Sequence, residues 1–195
     1  MVITDYNQPT IIICPGIHEP ALTESFILGL LEQSAQGTIQ NPVNILVFPG
    51  EGLSALSAFH ILGFLHEHLR NRLESSVVFI SFSAGVVGAI GAACSWQLLY
   101  GQVKAFIAID GWGMPLGGSF PIHRMSHDYF THWSSCLLGG GHNNFYASPP
   151  VDHLSMWRSP QTVQGYWVDS SLGAGTPSLR VTAAEFLQMQ FMVYK

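Results

Sequence analysis

Val77-Val78-Phe79-Ile80-Ser81-Phe82-Ser83-Ala84-Gly85 is the stretch on which the reading of this chain turns. Its first six residues are uncharged and mostly β-branched or aromatic, the composition of a strand buried on both faces. From Ala84 to Leu99 small residues dominate and a helix is expected. Ser83 then sits on a tight strand-to-helix turn. Such a turn is strained, and the residues two positions away on either side must be small to avoid clashes. Ser81 and Gly85 meet that condition. The helix N-terminus beneath Ser83 favours negative charge developing there.

The neighbouring segments follow the same alternation. Thr10 to Cys14 is a β-branched run stopped by Pro15-Gly16, and Asn44 to Phe48 is stopped by Pro49-Gly50. Val103 to Ile109 is a further apolar run. Between them, three- and four-residue apolar spacings predict helices over Pro20 to Gln33 and Ser54 to Leu73. Strands alternating with helices imply an α/β fold with a mostly parallel sheet and helices on both faces, and ligands bind beyond the carboxyl ends of such strands. After Asp110 the texture changes: residues 111 to 175 contain no Lys or Glu and many Gly, Pro, Ser, His and Trp. Strands are expected at Asn144 to Ala147 and Gly165 to Val168, with 111–143 a lid or long-loop region. Thr182-Ala183-Ala184-Glu185 reads as a capping box opening a C-terminal helix. The whole chain, 1–195, reads as one domain.

The strand, the Ser81-Phe82-Ser83-Ala84-Gly85 turn and the helix after it resemble the α/β-hydrolase superfamily, whose motif is Gly-x-Ser-x-Gly; Ser81 replaces the first glycine. The resemblance covers residues 10 to about 110. It implies a compact three-layer α/β-hydrolase-like sandwich with Ser83 as nucleophile. It also implies an oxyanion hole made by the backbone N–H groups of Ala84 and of Ile17, in the loop Cys14-Pro15-Gly16-Ile17-His18-Glu19, with His18 the next choice.

The family's chain order, Ser then Asp or Glu then His, places the base after Ser83. Histidine suits the role because its ordinary pKa lies near neutrality. His18, His60, His66 and His68 fall out of order. Of His123, His127, His132, His142 and His153, the preferred base is His153, beyond the strand at 144–147; His127 and His142 are the alternatives. Asp110, at the end of the strand after the nucleophile strand, is the preferred acid, with Asp128 and Asp152 behind it. Trp112, Met114 and Trp157, with His18, are the substrate-contacting residues expected, and Phe120, Tyr129, Phe130 and Trp133 belong to the same aromatic set, as pocket lining or as lid core.

Composition narrows the partners. Of 195 residues, 48% are hydrophobic and 10% charged, with a formal charge of −5 and no cationic run. This excludes disorder and argues against nucleic acid. Val77 to Trp96 is uncharged and about as long as a membrane span, but its serines and glycines favour a buried strand and helix over an integral membrane segment. His123, His127 and Asp128 have partial metal-ligand spacing, but no His-Glu-x-x-His is present, so neither a metal nor another cofactor is expected. Three cysteines without framework spacing, and an N-terminus without an apolar core, predict reduced thiols and a cytoplasmic protein. The expected function is therefore a serine hydrolase acting on a small-molecule acyl ester or thioester through Ser83, His153 and Asp110. The rival is a non-catalytic protein that uses the same cleft for binding. Oligomeric state is not legible.

Overall fold

Uncharged β-branched runs gain most by pairing in the middle of a sheet covered on both faces, where each large apolar side chain contributes roughly 1.5–3 kcal/mol by leaving water. The computed structural model describes residues 8–36, 44–50, 52–70, 73–169 and 177–194. In it, β1 (Thr10–Cys14), β3 (Val77–Phe82) and β4 (Val103–Ile109) are almost wholly buried, while the three-residue β2 (Ile45–Val47) lies at an edge. β5 (Ile122–Ser126), β6 (Asn143–Ala147), β7 (Gln164–Asp169) and β8 (Pro177–Thr182) complete one eight-stranded sheet. The order is β2-β1-β3-β4-β5-β6-β7-β8. Pairing is parallel from β2 to β6 and antiparallel for β6–β7 and β7–β8.

Alternate strand residues feed opposite faces, as the pleat requires. Ile11, Ile13, Val78, Ile80 and Ile107 pack with Phe26 and Leu30 of α1 (Pro20–Gln36), Trp157 of α5 (Ser155–Arg158) and Phe186 of α6 (Ala183–Val193). Ile12, Phe79 and Phe106 pack instead with Ile61 and Leu65 of α2 (Ala58–Leu69) and Val86 and Trp96 of α3 (Gly85–Leu99). The result is a three-layer α/β arrangement. Connections run outward from β1 in both directions, to β2 on one side and β3 on the other, so a crevice opens beyond the carboxyl ends of β1 and β3. Ser83 stands there.

Two expectations need correction. The helix expected over 54–73 is interrupted: a 3₁₀ turn at Gly52–Leu56 precedes α2, whose N-terminus is capped by Ser57 accepting from the His60 N–H at 3.4 Å. The region 111–143 is not all lid or loop, because it contributes β5 to the sheet and α4 (Tyr129–Cys136). The uncharged run Val77 to Trp96 divides into β3 and α3, and among the described residues no helix is long and apolar enough to cross a membrane. The capping box at Thr182 and Glu185 forms as read, with both reciprocal hydrogen bonds present.

Candidate functional site

Ser83 is one of two non-glycine residues with positive φ among those described, at 52°. That region costs an L-residue roughly 1–3 kcal/mol and persists only where the surroundings over-determine it. Here the Ser83 N–H donates to the Ile109 carbonyl at 2.9 Å, and its own carbonyl accepts from Val86 N–H at 3.1 Å, opening α3. The small residue at Gly85 has a tertiary reason. A Cβ there would lie 2.3 Å from the Pro15 carbonyl oxygen and 2.7 Å from that of Cys14. The start of α3 is thus pressed against the loop after β1. Gly16 answers from the other side, where a Cβ would sit 3.0 Å from Ser83 Cβ. Ser81 is fully buried, and its hydroxyl has no hydrogen-bond partner among the described residues, so smallness is what that position supplies.

Asp110 is the other positive-φ residue, at 51°. It follows β4 directly and its N–H donates to the Met125 carbonyl at 2.8 Å, tying it to β5. Its buried carboxylate accepts three hydrogen bonds. Oδ1 takes the His127 backbone N–H at 2.9 Å, while Oδ2 takes His127 Nδ1–H at 3.0 Å and His153 Nδ1–H at 2.9 Å. Burial pushes the Asp110 carboxyl up, but the hydrogen bonds from His127 and His153 outweigh it, and the group is held below its ordinary value. An ionised carboxylate only accepts, so both rings carry their proton on Nδ1. In a neutral His153, Nε2 is then the acceptor. It lies 3.0 Å from Ser83 Oγ, and the serine hydroxyl donates to it. A continuous hydrogen-bonded chain therefore runs from Ser83 through His153 to Asp110.

His153 lies in the turn between β6 and α5, a segment held at one end by Val151 N–H donating to the His127 carbonyl at 3.1 Å. A stack of aromatic rings fixes its plane. His153 lies over Phe82 at 4.7 Å, Phe82 over Trp157 at 4.9 Å, and Trp157 over Phe26 at 3.8 Å, all within 20° of parallel. Phe82 was not singled out from sequence. Its only signal there is adjacency to Ser83, because stacking partners from α1 and α5 are not written into a strand.

The remaining site candidates divide. Ser83, Ala84, Trp112 and Met114 line a cleft of about 280 Å³, together with Asp110, His127 and His153. The N–H groups of Ile17 and Ala84 donate to no protein acceptor in the described residues. His18 lines a neighbouring cavity of about 350 Å³ with Pro15, Pro20, Ile27 and Phe48, and its ring meets the edge of Phe82 at 5.6 Å. Trp157 does not line the cleft; it is fully buried and supports the ring stack from below. Phe120 is buried in the core, whereas Tyr129, Phe130 and Trp133 are exposed on α4. Asp128 caps α4, accepting from Thr131 N–H at 2.6 Å, and Asp152 is exposed. His142 accepts from the Ile122 N–H at 3.3 Å, well away from this chain of bonds. His127 makes no hydrogen bond to Ser83, but it shares Asp110 with His153.

The partial metal spacing noted in sequence does not form a site as read. His123 is buried between the Asn143 carbonyl, at 2.9 Å, and the Tyr194 hydroxyl, at 2.7 Å. Ligand-type atoms of Asp110, His127 and His153 do lie within 4.8 Å of one another, and the carboxylate and both Nδ1 atoms are hydrogen-bonded among themselves. No protein-family model matches the chain, and no curated protein matches it in sequence.

Proposed function

We propose that the chain is a serine hydrolase of the α/β-hydrolase type that cleaves a small acyl ester or thioester. The observation carrying this reading is the chain Ser83–His153–Asp110 ending on a serine held at φ 52°. Ser83 Oγ attacks the carbonyl as its proton passes to His153 Nε2. The new imidazolium is stabilised by the Asp110 carboxylate at Nδ1. The tetrahedral oxyanion is received by the N–H groups of Ala84 and Ile17; the close approach of Gly16 to Ser83 Cβ brings the β1 loop beside the nucleophile. His153 then returns the proton to the leaving alcohol or thiol, and water repeats the sequence on the acyl-enzyme. Trp112 and Met114, on the cleft wall, contact the substrate.

The test is covalent. A fluorophosphonate probe should label Ser83, located by peptide mapping. Ser83→Ala should lose labelling and lower ester turnover by about 10⁴-fold or more. Absence of any label at Ser83 in the folded protein would overturn the hydrolase reading in favour of a cleft used only for binding.

A further inference from the structure

His127 is unusual in what its two nitrogens face. Nδ1 lies 3.0 Å from Asp110 Oδ2, and Nε2 lies 3.5 Å from Asp128 Oδ2. Neutral imidazole donates from one nitrogen only, so with Nδ1–H given to Asp110 the Nε2 lone pair faces a carboxylate. Protonation turns that repulsion into a second charge-assisted contact. The charged and titratable groups around the ring are Asp110 after β4, Asp128 at the start of α4, Asp152 in the turn before α5, and His153, whose ring centroid is 6.0 Å away. The hydrogen bond to Asp110 raises His127 above its ordinary value; burial opposes, and the charges of Asp110, Asp128 and Asp152 add to the rise.

The oxygen that His127 contacts is the same oxygen that holds His153. We propose that His127 is a positioning residue which gates the site through this shared oxygen. Neutral His127 holds the carboxylate in place and leaves its full charge for His153. Protonated His127 forms an ion pair with Asp110, and that charge is no longer free to stabilise the imidazolium that His153 becomes. Activity then requires two histidines to be deprotonated, not one. The inference rests on the hydrolase reading for its effect on rate, but the coupling between the rings stands on geometry alone.

Two measurements separate these. Histidine ring resonances followed by NMR across pH should show His127 and His153 titrating as a coupled pair in the wild-type protein, and His153 titrating alone in a single step in His127→Asn, which keeps a donor and removes the charge. The acid limb of log kcat/KM against pH should have a slope approaching about two in the wild type and about one in His127→Asn. Asp128→Asn retains the helix cap and should move the His127 titration to lower pH, giving a second variant if His127→Asn folds poorly. Independent, single-step titrations of both rings in the wild type, with Ser83 labelled by the probe, would overturn the gate while leaving the hydrolase reading intact. Coupled titration without Ser83 labelling would support the His127–Asp110–His153 linkage and overturn the hydrolase reading.

Discussion

The two sides of the sheet are built by different rules. From β2 to β4 the strands are apolar, parallel and covered by α1, α2 and α3, and they deliver Ser83 and Asp110 at strand ends. From β5 onward buried polar residues enter the sheet: His123, Arg124, Ser126 and Asn144 stand among Met125, Phe145, Ala147 and Val181 of the core. β5 reads Ile122-His123-Arg124-Met125-Ser126, all five buried, and further out β7 runs antiparallel between β6 and β8. Among the described residues Arg124 is buried without a carboxylate partner; its guanidinium donates to the carbonyls of Gly139 at 2.8 Å, Met114 at 3.0 Å and Leu138 at 3.3 Å. The first side is held by hydrophobic burial; the second adds to its apolar core buried polar groups that need specific partners, Arg124 on loop carbonyls and His123 on the Asn143 carbonyl and the Tyr194 hydroxyl. A site assembled across that boundary takes its serine and acid from the first side. Its histidines come from the second.

The sharpest break of the comparison is at the boundary residue. Asp110→Asn cannot accept both Nδ1 protons as an anion, and kcat should fall by roughly 10³ to 10⁴-fold with little change in KM, read by steady-state ester hydrolysis. A loss below about tenfold would mean that the polar side does not depend on the acid of the apolar side.

Stability should separate the two sides next. Arg124→Met leaves three carbonyls without their donor and should lower the unfolding free energy by about 3 kcal/mol in urea titrations. A near-neutral result would place the stability of the β5 region in packing alone.

His123 provides a pH test of similar size. Burial is the main cause that holds it down to about 4, the Asn143 carbonyl opposing and His142 adding. Its folded value lies below the ordinary one, so the unfolded chain binds the proton first as pH falls. Its contribution is therefore complete above about pH 6.5 and is lost as pH drops towards 4, on the order of 3 kcal/mol across that window. Urea midpoints from pH 7 to 4 should fall steeply in the wild type and less so in His123→Gln.

The smallest effect expected is in the ring stack. Phe82→Leu keeps an apolar strand end but removes the ring face beneath His153, so kcat should fall about tenfold with KM nearly constant, while Phe82→Tyr restores most of it. An equal loss in both variants would assign Phe82 to packing rather than to holding the histidine plane.

Legibility follows that boundary only in part, since the strands expected at 144–147 and 165–168 form as β6 and β7 on the second side. β1, β3, β4 and α3 were readable because an uncharged β-branched run has few stable places except a covered strand. β5 was not, because His123 and Arg124 look like surface residues until the Asn143, Gly139, Met114 and Leu138 carbonyls that satisfy them are in place. The break between the 3₁₀ turn and α2 hinged on one serine cap, a local competition that apolar spacing does not report.

By itself the sequence determined the alternation of strands and helices to residue 110 and the strained serine between small neighbours, since both follow from local sterics and hydrophobic pattern. Only the tertiary structure decided which histidine meets Ser83, that one carboxylate oxygen serves His127 and His153 together, and that Trp157 supports the ring stack instead of lining the cleft. Those choices depend on hydrogen bonds and ring contacts between residues 43, 70 and as many as 134 positions apart. Directional contacts of that reach have no periodicity along the chain, and they exist only once the sheet has brought its strand ends to one edge.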